Sequence, residues 1–319
     1  MRAVVLHRTG GPEVLVPENI PRPEPGPGQV LLRIEAAAVS TGETKMRSGA
    51  VRVPFALPAV LGAEAAGVVE EVGEGVDSPP RGATVVGITG GRGSYAEYAV
   101  VDAAMTTAVP DGLSAADAVA MAAPGAMAFG LTRKAGVQPG ETVLVEGGSG
   151  AIGGYLVPRA RELGARVIAT AGTPDGRERV RRLGADQLLD HTDPDWPDGL
   201  GEGTVDVVFD LAGGEVAGRL LDSLAPGTGR MLMYGSLTGD PGGFDSAKIR
   251  ERGLQVAGCA GPAWAAGIFG VSYPEFLAAA GRDEVPRPAI EARLPLADAA
   301  EAHRRLEKGR VSGRILLVP

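Results

Sequence analysis

The chain has 319 residues, more than a typical single domain, so two domains with substantial apolar interiors are expected, and 44% hydrophobic residues supply them. A formal charge of −8 argues against nucleic acid or an anionic membrane surface as the main partner. Cys259 is the single cysteine, which excludes an intramolecular disulfide and every multi-cysteine zinc cluster.

The chain opens on a short apolar run within Met1-Arg2-Ala3-Val4-Val5-Leu6-His7, and no uninterrupted run approaches the roughly 20 apolar residues of a membrane span, so a cytoplasmic protein is expected. Up to about residue 120 the pattern is β-rich: 3–6, 29–36, 65–72, 83–88 and 96–101 are short apolar or alternating runs broken by Gly, Pro and Asp. Pro21 to Gly28 reads as a stiff connector into a strand. From Ser114 to Ala135 the apolar spacing turns helical, with a break expected at Pro124. Strands then alternate with helices: strands at 143–146, 166–171, 187–190, 205–212, 230–234 and 254–259, helices near 151–163, 176–183 and 215–224. That alternation predicts an α/β fold with a parallel, doubly wound sheet. Pro158 inside the first of these helices predicts a kink or a short first segment. The signal weakens through Ala263 to Gly270, read as a mobile loop, before a helix at 274–280, a strand at 290–296, a helix at 297–308 and a last strand at 315–318.

The strand Val143-Leu144-Val145 runs into a glycine cluster and then into residues at helical spacing. Gly148, Gly150 and Gly153 fill a G-x-G-x-x-G pattern around Ser149, Ala151 and Ile152. In such a turn the glycines allow the bend, the approach of a pyrophosphate to backbone, and close packing of helix on strand; the helix N-terminus then offers unpaired N–H groups to an anion. A purely structural turn is the alternative. An NAD site usually carries an acidic residue about 20 positions beyond the turn; here Ala171-Gly172-Thr173 stand there, with Arg177, Arg179, Arg181 and Arg182 just downstream. Nothing repels a 2′-phosphate, and Arg177, nearest the loop, is the candidate contact. Arg179 to Arg182 read as a solvated helix face.

Taken together, Pro25-Gly26-Pro27-Gly28-Gln29-Val30-Leu31-Leu32, Ala37-Ala38-Val39-Ser40, Leu61-Gly62-Ala63-Glu64-Ala65-Ala66-Gly67-Val68-Val69, Val72-Gly73, Gly93-Ser94-Tyr95-Ala96-Glu97-Tyr98, the glycine turn, and Ser312-Gly313-Arg314-Ile315-Leu316-Leu317 resemble the medium-chain dehydrogenase/reductase superfamily, in its zinc-independent quinone oxidoreductase branch. The resemblance implies a GroES-like β-barrel substrate and catalytic domain from residues 1–121 and 263–319, a Rossmann dinucleotide-binding domain over 122–262, and a homodimer built by the cofactor domains. Zinc-dependent relatives carry metal ligands at positions that here read Ser40, Ala63 and Ala123, so no metal is expected and Glu64 is structural. The resemblance also places His191, Ala212, Tyr234, Gly235 and Arg314 in the cofactor site.

The barrel strand that borders the cleft in relatives is followed here by Thr41, Glu43, Lys45 and Arg47, with loop surface as the alternative for each. Relatives often carry asparagine, aspartate and tyrosine where this chain has Ser40, Glu43 and Lys45. A later family tyrosine falls at Gly49-Ala50-Val51, and a threonine near the nicotinamide at Met127. The reading is an NADPH-dependent reductase of an activated C=C bond in a small molecule (a quinone, enone or enoyl compound), a specialised biosynthetic reductase being one form that fits the altered cleft, with Lys45 as donor to the developing oxyanion, Ser40 and Thr41 as weaker donors and Arg47 as a fixed charge. An NADPH-binding sensor or structural protein with little catalysis is the alternative.

Overall fold

The computed structural model describes residues 1–52, 55–240, 243–309, 311 and 313–319; Ser312 of the C-terminal motif lies outside them. The chain forms two compact units, Met1–Ala123 with Tyr273–Pro319, and Pro124–Ser272.

The first unit begins with β1 (Arg2–Leu6), β2 (Leu15–Asn19), β3 (Gln29–Val39), α1 (Thr41–Ser48), β4 (Ala59–Val60), β5 (Glu64–Val72), β6 (Thr84–Ile88), β7 (Tyr98–Asp102) and β8 (Thr106–Ala108). Helix α2 (Ala115–Ala135) runs unbroken through Pro124, where a break was expected. Among the described residues α2 is the one helix long and apolar enough to cross a membrane, yet 78% of its apolar window is buried within the protein, so its hydrophobicity is used in packing.

The second unit holds β9 (Thr142–Val145), α3 (Gly153–Glu162), β10 (Arg166–Thr170), α4 (Pro174–Arg182), β11 (Gln187–Leu189), β12 (Val207–Asp210), α5 (Gly214–Ser223), β13 (Arg230–Met233), α6 (Ser246–Glu251), β14 (Gln255–Gly258) and α7 (Pro262–Gly267). Its strands form one six-stranded parallel sheet in the order β11-β10-β9-β12-β13-β14, a doubly wound arrangement whose order reverses between β9 and β12. Val143, Leu144 and Val145 of β9 and Val207, Val208 and Phe209 of β12 are wholly buried, as continuous apolar runs in a two-sided parallel sheet should be. Helix α3 continues through Pro158 over its ten residues. The segment read as a mobile loop is helical: α7 is followed by a π-helical stretch, Ile268–Ser272. The glycine-rich sequence there conceals the packing of Ile268 on Gly130, where a Cβ would lie 2.2 Å from the Ile268 Cδ1.

The chain returns to the first unit through α8 (Tyr273–Gly281), β15 (Ile290–Pro295), α9 (Ala299–Glu307) and β16 (Arg314–Val318). Strand β16 enters between β15 and β3 in a seven-stranded sheet, order β15-β16-β3-β5-β6-β8 with β7 on β3, while β2-β1-β4 forms a separate three-stranded sheet. Strands β3 and β5 lie so close that a Cβ at Gly67 would come within 2.0 Å of the Arg33 carbonyl oxygen. Leu6, Leu61, Tyr95, Ile315 and Leu317 build the core.

Helix α1 was not expected, because its residues, Thr-Gly-Glu-Thr-Lys-Met-Arg-Ser, show no apolar periodicity. The start signal is Ser40 three residues before Glu43, whose carboxylate accepts from the Ser40 backbone N–H at 2.6 Å. Arg47 is buried on this helix, donating to the Gly10 carbonyl at 2.7 Å and to Glu307 of α9. Beside it His303, also fully buried, meets the Tyr95 hydroxyl at 3.1 Å through Nε2, while its Nδ1 has no partner. Burial, assisted by the Arg47 charge, lowers the His303 pKa from 6.5 to about 3. The unfolded chain therefore binds a proton that the folded chain refuses between those values, and stability falls as pH drops below about 6.5. We expect this group to cost on the order of 3–5 kcal/mol by pH 3. Urea unfolding at pH 7 and pH 4 should show a smaller acid loss in His303→Asn than in wild type; an equal loss would place the acid sensitivity elsewhere.

Candidate functional site

The glycine turn joins β9 to α3. Gly147, one residue before the predicted motif, takes φ +63° and makes the bend. Its carbonyl accepts from the Gly150 N–H at 2.8 Å, and Cβ atoms at Gly150 and Gly153 would lie 3.1 and 2.2 Å from that same oxygen. Gly153 is thus required by backbone approach, and Gly148, where a Cβ would meet the Ala169 Cβ at 2.9 Å, by packing on β10. Ser149, Gly150 and Ala151 lie on the solvent side of the turn, half-buried or exposed, and Ile152 precedes the first helical residue.

Two acids close the carboxyl ends of the strands on either side of the sheet's reversal. Glu146 follows β9 and Asp210 ends β12; they are 4% and 0% exposed. The Glu146 Oε2 accepts from the Leu211 and Ala212 N–H groups at 2.8 and 3.2 Å, and the Asp210 Oδ1 from the Gly213 N–H at 2.9 Å. Burial, then Asp210, raises the Glu146 pKa to about 8. The Tyr234 hydroxyl lies 3.4 Å from the Glu146 main-chain oxygen, and a Cβ at Gly235 would come within 2.5 Å of the Leu211 carbonyl oxygen. Ala212, Tyr234 and Gly235 are therefore brought together at the ends of β12 and β13. Glu146 and Asp210 were not among the residues expected at the site, although each acid ends an apolar run and the parallel register pairs Val145 with Phe209, making the next residues neighbours.

At the end of β10, the Thr170 hydroxyl accepts from the Gly147 N–H at 2.9 Å and lies 3.1 Å from the His191 Nδ1. A Cβ at Gly172 would come within 2.7 Å of the His191 Nε2, so the imidazole lies over that loop. Thr173 caps α4 by accepting from the Gly176 N–H at 3.0 Å, and a Cβ at Gly176 would meet the Ser149 Oγ at 3.0 Å. Arg177 pairs with Asp190 at 2.5 Å. Arg179 does not lie on a solvated face: it is half-buried and reaches Gly154 of α3, where a Cβ would lie 3.1 Å from its Nη2.

In the first unit Ser40 caps α1 with its hydroxyl on Glu43, Thr41 is exposed at the first helical position, and Lys45 is half-buried one turn on. Arg47 is committed to Gly10 and Glu307 and faces the core. The Ala63 N–H donates to the Glu43 Oε1 at 2.9 Å, and the Ala123 N–H to Glu64. The Glu64 Oε1 accepts from the Tyr273 hydroxyl at 2.5 Å, with the Arg314 Nη2 3.7 Å from its other oxygen. Burial raises the Glu64 pKa to about 7 against the pull of Arg314. Arg314, expected at the cofactor, pairs with Glu64 in the first unit. Tyr273, 209 residues from Glu64, carried no signal in the sequence.

The alcohol dehydrogenase GroES-like domain matches residues 26–111 and the zinc-binding dehydrogenase domain residues 183–317, which defines a two-domain nicotinamide-type dehydrogenase or reductase. The chain is 30% identical to the quinone oxidoreductase of Sus scrofa over 331 aligned residues, covering 100% of this chain and 98% of the relative. It is 36% identical to a 2-haloacrylate reductase of Burkholderia sp over 252 residues, 74% of each. Escherichia coli quinone oxidoreductase complexed with NADPH has the same fold, with a TM-score of 0.90 at 27% identity and complete coverage of both chains. The protein belongs to the medium-chain dehydrogenase/reductase superfamily, in its quinone oxidoreductase branch, and is an oxidoreductase. A zinc ion does not fit the residues present: Ala63 and Ala123 have no ligand atom in their side chains and their N–H groups serve carboxylates, while the Ser40 hydroxyl serves Glu43.

Substitution Gly153→Ala forces a Cβ against the Gly147 carbonyl and should cost about 1–3 kcal/mol of stability. Gly150→Ala, with 3.1 Å to the same atom, should cost less. Thermal melting of the two variants checks the order; equal costs would show that the turn relaxes freely.

Proposed function

We propose that the protein is an NADPH-dependent, zinc-independent reductase of an activated carbon–carbon double bond in a quinone, enone or enoyl compound. The observation that carries the reading is the glycine turn at the reversal of the parallel sheet, with the 211–214 and 234–236 loops beside it. The relatives named quinone oxidoreductase and 2-haloacrylate reductase support the substrate class, since a haloacrylate is an alkene activated by its carboxyl group.

When bound, the reduced nicotinamide supplies hydride to the electrophilic β-carbon. The chain's own residues do the rest. The N–H groups of Ala151, Ile152 and Gly153, at the N-terminus of α3, receive the pyrophosphate, the Gly150 N–H being given to Gly147. No carboxylate stands at Ala171-Gly172-Thr173 to repel a 2′-phosphate, and Arg177 and His191 border that loop. With the three ligand positions reading Ser40, Ala63 and Ala123, the negative charge developing on the substrate oxygen needs a protein donor, and Lys45 on α1 fills that role with Thr41 near it in the chain, while the Ser40 hydroxyl is already given to Glu43. Arg47 is excluded from it by its burial against Glu307.

Turnover on a quinone, enone and enoyl panel tests the reading; tight NADPH binding with no turnover on any member would favour a sensor. Within active assays, Lys45→Met should slow single-turnover hydride transfer by about 2.7–4 kcal/mol, the worth of an oxyanion donor, and Lys45→Arg by less. Rates within threefold of wild type in both would return the proton to water.

Arg177→Ala should weaken NADPH by about 1.5 kcal/mol and leave NADH nearly unchanged. The figure sits at the low end for a bond to a charged group because Arg177 must give up Asp190 to take the phosphate. Equal losses for the two cofactors in binding titrations would assign Arg177 to folding.

A further inference from the structure

The Asp210 Oδ2 is fully buried and receives no N–H or O–H from any ordinary donor. The loop that follows β12 gives three successive N–H groups to the two acids: Leu211 and Ala212 to Glu146, Gly213 to Asp210. No arginine, lysine or histidine pairs with either carboxyl group among the described residues, and the charge acting on Glu146 is that of Asp210. From β13, Tyr234 faces the pair as a neutral phenol, its pKa raised by burial and by both acids, and it is directed to the Glu146 main-chain oxygen. From β10 the neighbour is Thr170, uncharged and bonded to the Gly147 N–H. Two bare carboxylates in this setting would repel each other without compensation, and an unpaired buried acceptor carries a cost of its own.

We propose that Glu146 and Asp210 hold one proton between them, Glu146 donating it to the Asp210 Oδ2, and that this proton fixes the Leu211–Gly214 loop in the shape that receives the dinucleotide. Glu146 is then a positioning residue for the cofactor. The inference rests on the proposed cofactor site in this unit, because the loop it fixes is the one beside the glycine turn. With the proton present, both acids accept from the loop while bonded to each other. Its loss leaves two anions across the reversal of the sheet, Glu146 immediately before the glycine turn, so the loop loosens and the local charge opposes an anionic ligand there. The folded Glu146 pKa near 8 places this loss at mildly alkaline pH. Affinity is full below that value and falls as pH rises through it.

The experiment titrates NADPH and NADH into wild type, Glu146→Gln and Asp210→Asn from pH 6.5 to 9.5. Wild type should bind both cofactors more weakly by about fivefold or more at pH 9.5 than at pH 7. Either amide variant, which keeps a donor between the two side chains without a titratable proton, should give a flat profile over the same range. Asp210→Asn serves if Glu146→Gln does not fold. In parallel, infrared difference spectra of wild type minus Glu146→Gln, in which the buried Glu64 carboxyl cancels, should show a protonated carboxyl band at pH 7 that fades above pH 8. A wild-type profile that is flat, or variants that follow an unchanged wild-type slope, overturns the positioning role. Binding of neither cofactor at any pH overturns the cofactor reading and the positioning role with it, while the infrared band still decides whether the proton is shared.

Discussion

The second unit depends on one close approach of backbone to backbone. The Gly147 carbonyl oxygen sits where side chains at 150 and 153 would otherwise be, which lets the chain leave β9 and enter α3 within a few residues. Because α3 is drawn that tightly onto the sheet, Gly148 can rest on Ala169 of β10, and Thr170 can reach the Gly147 N–H. His191 is then held against Thr170, and the loops after β10 and β11 come together around it. The apolar strands supply the driving force, but the glycines determine how near the elements come.

A second constraint recurs in both units: buried carboxyl groups held by main-chain N–H groups. Glu43 takes Ser40 and Ala63, Glu64 takes Ala123, Glu146 takes Leu211 and Ala212, and Asp210 takes Gly213. A carboxylate can accept several such bonds at once, so a single acid can pin a loop that has no regular structure. The first unit has a nearby cation, Arg314, to offset the charge on Glu64. Among the described residues no cation pairs with Glu146, whose pKa is raised by burial and then by Asp210.

The glycine turn and the alternation of strands and helices were legible in the sequence because their causes are local: apolar runs at fixed period and glycines at fixed offsets. Helix α1 was not, since its polar residues are buried by distant partners, Arg47 by Glu307 at a separation of 260 residues. The same holds for Tyr273 on Glu64, 209 residues away. Arg177 and His191 were legible as residues near a loop, but the Asp190 partner of Arg177 belongs to a neighbouring strand's end and required the sheet order to see. Glu146 and Asp210 stood at the ends of correctly placed strands and went unremarked because acids at strand ends usually face water.

The position of β16 bears on how the chain is made. Its five residues, Arg314–Val318, pair with β3 as Ile315 on Val39, Leu316 on Ala38 and Leu317 on Ala37, and Ile315, Leu316 and Leu317 are wholly buried. During synthesis from the N-terminus, β3 therefore leaves the ribosome long before the strand that completes its edge. The Pro124–Ser272 unit is translated in that interval, and all its sheet partners are present before translation reaches residue 314. The order of emergence thus lets the Pro124–Ser272 unit complete its sheet first, while β3 keeps one edge open until residues 314–318 are made.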